Sequence, residues 1–208
     1  MLELTNWSPN QSELDRVFAW LDKSQPRTIL EIGSGASTTQ LEQWCIKNGA
    51  TLESWEHDRA WAEHTRAALV DPLIVKYSTL KGRTHGPWYR RKYEGQVDFV
   101  FIDGPPIKTG GRMHALYALR KNLKPDTMIV LHDVARPHEQ LCMNRWCADF
   151  GLEAKYDAVR SKGIGWIAAP HVFDKYPGWS VLLPLDSTTA VNKVQNVQQP
   201  RGQQNGLD

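Results

Sequence analysis

Thr28-Ile-Leu-Glu-Ile-Gly-Ser-Gly-Ala-Ser-Thr38 is the stretch whose reading decides the fold. Thr28 to Ile32 is a short apolar, β-branched run of the kind that forms a buried parallel strand. Gly33 and Gly35 follow at once, and glycine admits positive φ and lets a ligand approach the main chain closely. Ser37 and Thr38 then predict the cap of a helix over about Thr39 to Asn48, with Gly49 as its stop. Strand, glycine turn and helix together make the opening unit of a nucleotide-binding α/β fold.

Two details favour S-adenosylmethionine (SAM) over a dinucleotide. The third glycine of G-x-G-x-x-G is replaced by Thr38, and that glycine serves close packing under a pyrophosphate, which SAM lacks. Glu31 sits two residues before Gly33, where its charge suits an ammonium and a sulfonium and would repel a diphosphate. Glu56 closes a second strand, Thr51 to Glu56, 21 positions after Gly35. An acidic side chain there accepts hydrogen bonds from ribose hydroxyls. The expected cofactor contacts are Glu31, Gly33, Ser34, Gly35, Ser37, Glu56, His57 and Asp103.

Working outward, Leu14, Val17, Phe18 and Leu21 predict an amphipathic helix over Ser12 to Lys23. Asp58 caps a helix to Val70, and Leu73 to Tyr77 reads as a third strand, with Ser78 or Thr79 after it to meet the adenine. Lys81 to Lys92 holds two glycines, a proline and five Lys or Arg residues. It reads as an anion-receiving loop, with Trp88 and Tyr89 as stacking platforms and Arg90 among its cations; the rival is a plain solvated loop. Val97 to Ile102 is the strongest buried strand and ends in Asp103-Gly-Pro-Pro106. Gly111 to Leu123 reads as a helix, and Thr127 to Leu131 as a strand ending in His132-Asp133. Asp103, His132 and Asp133 thus fall at the carboxyl ends of adjacent central strands, where open α/β sheets bind ligands. They are the candidate catalytic group: His132 as proton acceptor, the carboxylates as bases or orienters. The rival for His132 is a structural histidine at a strand end.

Arg136 to Phe150 reads as a helix, and Leu152 to Val159 and Gly163 to Ala169 as strands whose short connection permits only an antiparallel pair. The expectation is therefore a Rossmann-like α/β fold. Its mostly parallel seven-stranded sheet has an antiparallel C-terminal hairpin and helices on both faces. Residues 1–185 form one domain, and 186–208 a weakly ordered polar tail.

Composition is that of an ordinary globular chain, 41% hydrophobic and 23% charged, with a net charge of +2. Bulk charge therefore demands neither nucleic acid nor membrane. No apolar stretch spans a bilayer, the polar N-terminus carries no signal-peptide core, and the three cysteines lack metal-ligand spacing. The expectation is a cytoplasmic protein with reduced thiols. The pattern leaves the oligomeric state open, and a homo-oligomer is compatible with it.

On these residues the chain resembles class I SAM-dependent methyltransferases over residues 12 to 170. Within them it is most similar to the glucuronoxylan 4-O-methyltransferase group of polysaccharide biosynthesis, through Ile74 to Thr79, Ile102 to Pro105, Gly111 to Met113 with Ala115 to Tyr117, and Leu131 to Val134 with Arg136. That resemblance implies methyl transfer to the hydroxyl of a sugar or other small molecule, an anionic acceptor among them, with Arg112 a candidate substrate contact. It departs from the group in its shorter chain and in the length of its Asp103-to-Gly111 loop. The catechol-type O-methyltransferases are a second resemblance, in which Asp103 and Asp133 match two ligands of a magnesium or manganese ion; their Asn ligand falls at Val134 here. The alternatives are an NAD(P)-binding or other nucleotide-binding Rossmann protein, and a nucleic-acid methyltransferase. Thr38 and the terminal hairpin argue against the first, and the absence of an Asn-Pro-Pro-Tyr or Asp-Pro-Pro-Tyr motif against base methylation.

Overall fold

The computed structural model describes residues 2–157, 162–176 and 183–184. An eight-stranded sheet carries the architecture. In chain order its strands are β1 (Thr28–Ile32), β2 (Thr51–Glu56), β3 (Val75–Tyr77), β6 (Val97–Ile102), β7 (Leu123–His132), β8 (Glu153–Asp157), β9 (Ile164–Ala168) and the two-residue β10 (Leu183–Pro184). The missing numbers are β4 (Leu80–Lys81) and β5 (Trp88–Tyr89), a separate small hairpin. The order is β10-β8-β9-β7-β6-β1-β2-β3. The five strands from β3 to β7 are parallel, and β9 runs antiparallel to both β7 and β8. This is the expected Rossmann-like sheet, with the seven predicted strands joined by β10.

Strand alternation divides the core between two faces. Ile29, Phe99, Phe101, Met128 and Val130 meet α1 (Gln11–Ser24), α2 (Ala36–Asn48) and α6 (Pro170–Lys175) on one side. Leu30, Ile32, Val100, Ile102, Ile129 and Leu131 meet α4 (Ala115–Leu119) and α5 (Pro137–Phe150) on the other. Period-2 side chains on strands buried from both sides produce this split. A further helix, α3 (Arg59–Arg66), follows β2.

Several boundaries differ from expectation for local chemical reasons. Helix α2 starts at Ala36, capped by Gly35, because the Thr38 hydroxyl accepts the Gly35 N–H from inside the first turn at 2.8 Å. Helix α3 stops at Arg66, four residues early; the following chain is caught by Glu42 of α2, which accepts the N–H groups of Val70 and Asp71. Pro72–Ile74 is a 3₁₀ turn, so β3 begins at Val75. The helix expected over Gly111 to Leu123 shrinks to Ala115–Leu119, and Leu123 opens the long β7. The stretch 158–161 and the tail 186–208 lie outside the described residues.

The basic loop is the main correction. Its Trp88 and Tyr89 form strand β5 and are fully buried in the core beside Trp55, Leu116 and Trp146. Burial of two large rings holds the hairpin against the sheet, so neither ring is an open platform. Arg90 is exposed but lies away from the pocket described below.

Candidate active site

A cavity of about 660 Å³ opens at the carboxyl edge of the sheet. Its wall combines the glycine turn (Gly33 to Ser37), the end of β2 (Glu56, His57, Asp58), Trp61 and His64 of α3, and the loop Asp103 to Lys108. Asp133 and Arg136 after β7 complete it, with Arg112 and the segment Leu2 to Ser8.

The turn is shaped by two backbone constraints. Gly33 has φ +93°, and a Cβ there would lie 2.9 Å from the Gly104 nitrogen. The turns after β1 and β6 therefore pack main chain on main chain, which only glycine allows. Gly35 differs: its φ of 169° is ordinary extended backbone, and a Cβ would meet only the Trp61 ring at 3.6 Å. A side chain there fits the fold and projects beside the cavity.

Glu31 stands behind the turn and does not line the cavity. Its carboxylate accepts hydrogen bonds from Ser37, Thr38 and Ser54, each at 2.6 Å. Burial pushes its pKa up to about 7 against those three bonds. The expectation that Glu31 faces a methionine ammonium is corrected: it anchors the turn. Glu56 does line the cavity, and its carboxylate accepts the N–H groups of Ser34, His57 and Asp58. Neither Ser78 nor Thr79 reaches the wall. Trp61 does, donating from its indole N–H to the Ser34 carbonyl at 2.6 Å. Nothing in the sequence pattern marked Trp61, because its role depends on the turn it closes over.

The three candidate catalytic residues belong to a buried chain of charges that alternate in sign. Glu13 of α1 lies 3.3 Å from His132 Nε2, and His132 Nδ1 lies 2.7 Å from Asp103 Oδ1. Arg112 donates to Asp103 Oδ1 at 3.2 Å, to Asp133 Oδ2 at 3.0 Å and to the carbonyls of His132 and Asp103. Arg136 meets Asp133 Oδ2 at 2.9 Å. Burial lowers the His132 pKa, but Asp103, Glu13 and Asp133 outweigh it and raise it to about 9. Burial raises the Asp103 carboxyl, and His132 and then Arg112 outweigh that and hold it below its ordinary value.

This geometry corrects two expectations. His132 has no exposed surface, carries its proton at neutral pH and has both ring nitrogens engaged, so it is a structural imidazolium and not a free base. Arg112, at 2% exposure, is a buried strut with its fork committed to the protein, though its edge touches the cavity. Asp103 and Asp133 both line the cavity. Asp133 adopts φ +64°, an uncommon conformation for a side chain that is not glycine. Its Oδ2 meets both arginines, while its buried Oδ1 has no hydrogen-bond partner among the described residues.

Asp103, His132 and Asp133 bring ligand atoms within 4.8 Å of one another, the spacing of a metal site. They do not fit a divalent ion as they stand. The Arg112 guanidinium lies between the two carboxylates, and protonated His132 holds the remaining face of Asp103 Oδ1. A cation built into the chain already neutralises the pair.

Comparison with known proteins agrees with the architecture. A family model described as a methyltransferase domain matches residues 30–134, from β1 through the Asp133 turn. The fold is similar to that of the O-methyltransferase TomG of Streptomyces achromogenes, involved in tomaymycin synthesis and crystallised with SAM. That match has 17% identity and a TM-score of 0.60, and covers 80% of this chain and 83% of that one. It is also similar to the SAH-bound methyltransferase PaMTH1 of Podospora anserina (16% identity, TM-score 0.59, 79% and 80% covered). An O-methyltransferase of Bacillus cereus in complex with SAH is a third (18%, 0.57, 79% and 84%). A search of curated proteins finds no match. Among the described residues no helix is long and apolar enough to cross a membrane.

Proposed function

For a chain that belongs to the methyltransferase-domain family, we propose methyl transfer from SAM to a hydroxyl oxygen of a small acceptor. The observation that carries this reading is one cavity with two chemically distinct ends. At one end lie the glycine turn, Glu56 and Trp61; at the other lie Asp133 and Arg136. Its volume of about 660 Å³ suits a nucleoside-sized ligand with room beside it. Glu56 accepts from ribose hydroxyls, the open side of Gly35 lets the ligand lie against the main chain, and Trp61 with His57 borders the base. These assignments keep Gly33, Ser34, Gly35, Ser37, Glu56, His57 and Asp103 as cofactor contacts and add Trp61.

Bound SAM supplies an electrophilic methyl carbon on a sulfonium. The chain's work is alignment, since in-line displacement depends on holding the acceptor oxygen opposite the departing sulfur. The Asp133 carboxylate receives the acceptor's O–H and fixes the direction of the oxygen lone pair. It is the group placed to take the proton as the O–C bond forms. The paired arginines keep that carboxylate in place. Lys108, exposed on the cavity wall, and half-exposed Arg136 favour an acceptor that carries negative charge. The segments of the glucuronoxylan 4-O-methyltransferase resemblance around Asp103, Arg112, Asp133 and Arg136 meet in this one network, which supports a hydroxyl of an acidic sugar as the acceptor.

Calorimetric titration tests the cofactor half. SAM and S-adenosylhomocysteine (SAH) should bind in the micromolar range and NAD should not. Radiolabelled methyl transfer to uronic-acid glycosides tests the acceptor half, and Asp133→Asn should lower turnover by about 10²-fold or more with SAH affinity unchanged. NAD binding without SAH binding would overturn the reading.

A further inference from the structure

Ahead of α1 the chain runs along the cavity mouth, and Leu2, Glu3, Thr5, Trp7 and Ser8 all contribute to its wall. Trp7 is 81% exposed, the largest apolar exposure among the described residues. An indole left in water forgoes the burial that a ring of its size normally gains. Its position is nonetheless built. Ser8 N–H donates to the Thr5 carbonyl at 3.1 Å, Thr5 N–H to Ser8 Oγ at 2.7 Å, and Trp7 N–H to Thr5 Oγ1 at 3.2 Å. Lys162 then ties this turn down through the carbonyls of Asn6 and Ser8.

The anchor fixes which end of the cavity the turn serves. The Lys162 carbonyl accepts the Ala135 N–H at 2.8 Å, and Gly163 donates to Glu13, the outer member of the buried charge chain. The Trp7 turn is therefore moored beside the Asp133 segment, across the cavity from Glu56 and Trp61. Resting on the reading above, we infer that residues 2–8 are a wall of the acceptor subsite and that Trp7 receives the flat face of a ring-bearing acceptor. A pyranose and a phenol share that chemistry, one offering a C–H face and the other a π face. Trp7 is a positioning residue: it sets the ring so that a ring hydroxyl points toward Asp133, on the same cavity wall.

The test uses the full chain, saturated with SAH and also free, titrated with methyl β-D-glucuronoside and with 3,4-dihydroxybenzoate by ligand-observed NMR. At least one ring should bind the wild type. Trp7→Ala should weaken it about tenfold and Trp7→Phe by no more than about threefold, the scale of an aromatic contact. SAH affinity should stay within about twofold in both variants. Binding of the rings by Trp7→Ala as by wild type, or no binding of either ring to wild type, would overturn the proposal. So would an equal loss of ring and SAH affinity in both variants, the mark of a structural role. Failure of SAH alone to bind wild type would instead remove the cofactor reading, while the titrations of free protein still judge Trp7.

Discussion

Replacing Arg112 by methionine tests the account of the site most directly. Among the described residues the guanidinium is the one side chain that hydrogen-bonds both Asp103 and Asp133, and it also donates to two main-chain carbonyls. Methionine keeps the apolar stem and removes the charge, so both carboxylates lose that donor while His132 and Arg136 remain beside them. Breaking a buried pair in this way costs about 3–5 kcal/mol. For a domain of this size that is a fall in Tm of roughly 10–15 °C. Arg112→Lys, which retains a point charge but not the fork, should fall between the two. Adding Asp103→Asn to Arg112→Met should recover part of the loss, since the two residues share one interaction. Thermal unfolding followed by circular dichroism at neutral pH measures all three. Manganese supplies the second readout. With the guanidinium gone, a manganese ion that displaces the His132 proton can take its place between Asp103 and Asp133, so manganese should raise the Tm of Arg112→Met and leave the wild type unmoved. A variant melting within about 2 °C of wild type would refute the strut. A wild type stabilised by manganese would refute the claim that Arg112 fills the metal position.

Stability should be greatest near about pH 5 and fall as pH rises. His132 goes from 6.5 to about 9 on folding, so its contribution is full below 6.5 and is lost as pH climbs through 9. Glu31 goes from 4.5 to about 7, so its share is lost between those values; each shift amounts to about 3 kcal/mol. Below that maximum Glu13 and Asp103, both held below their ordinary values, lose their contribution as they protonate. A Tm that rises from pH 5 to pH 9 contradicts this, and Glu31→Gln should flatten the lower half of the decline. The two turn glycines should separate fold from ligand. Gly33→Ala forces a Cβ against the Gly104 backbone at positive φ and should cost about 1–3 kcal/mol. Gly35→Val should melt within about 3 °C of wild type while losing SAH, because only the Trp61 ring borders that Cβ. Equal destabilisation by both would mean that the turn is not divided in this way.

Read by itself, the amino-acid sequence determined the sheet and the edge where chemistry sits. The apolar runs Thr28 to Ile32 and Val97 to Ile102 are local signals that need no partner to be recognised, and Gly33 with Gly35 marks the turn between strand and helix. The same holds for Glu56, Asp103 and Asp133, which end their strands and reach one cavity. Only the tertiary structure decided what each side chain does there. His132 becomes an imidazolium because Glu13, 119 positions away, comes to face it. Arg112 becomes a strut because strands β6 and β7 lie side by side with their terminal carboxylates 30 positions apart in sequence. Trp88 and Tyr89 look like a ligand platform in a basic loop, and they are core because a short hairpin folds them against the sheet. Trp7 looks like part of a featureless N-terminus, and it reaches the cavity because Lys162 ties it there. Periodicity and turn chemistry act over a few residues, so they are legible along the chain. Burial and charge pairing are set by which distant segments meet, and that is decided in the folded state.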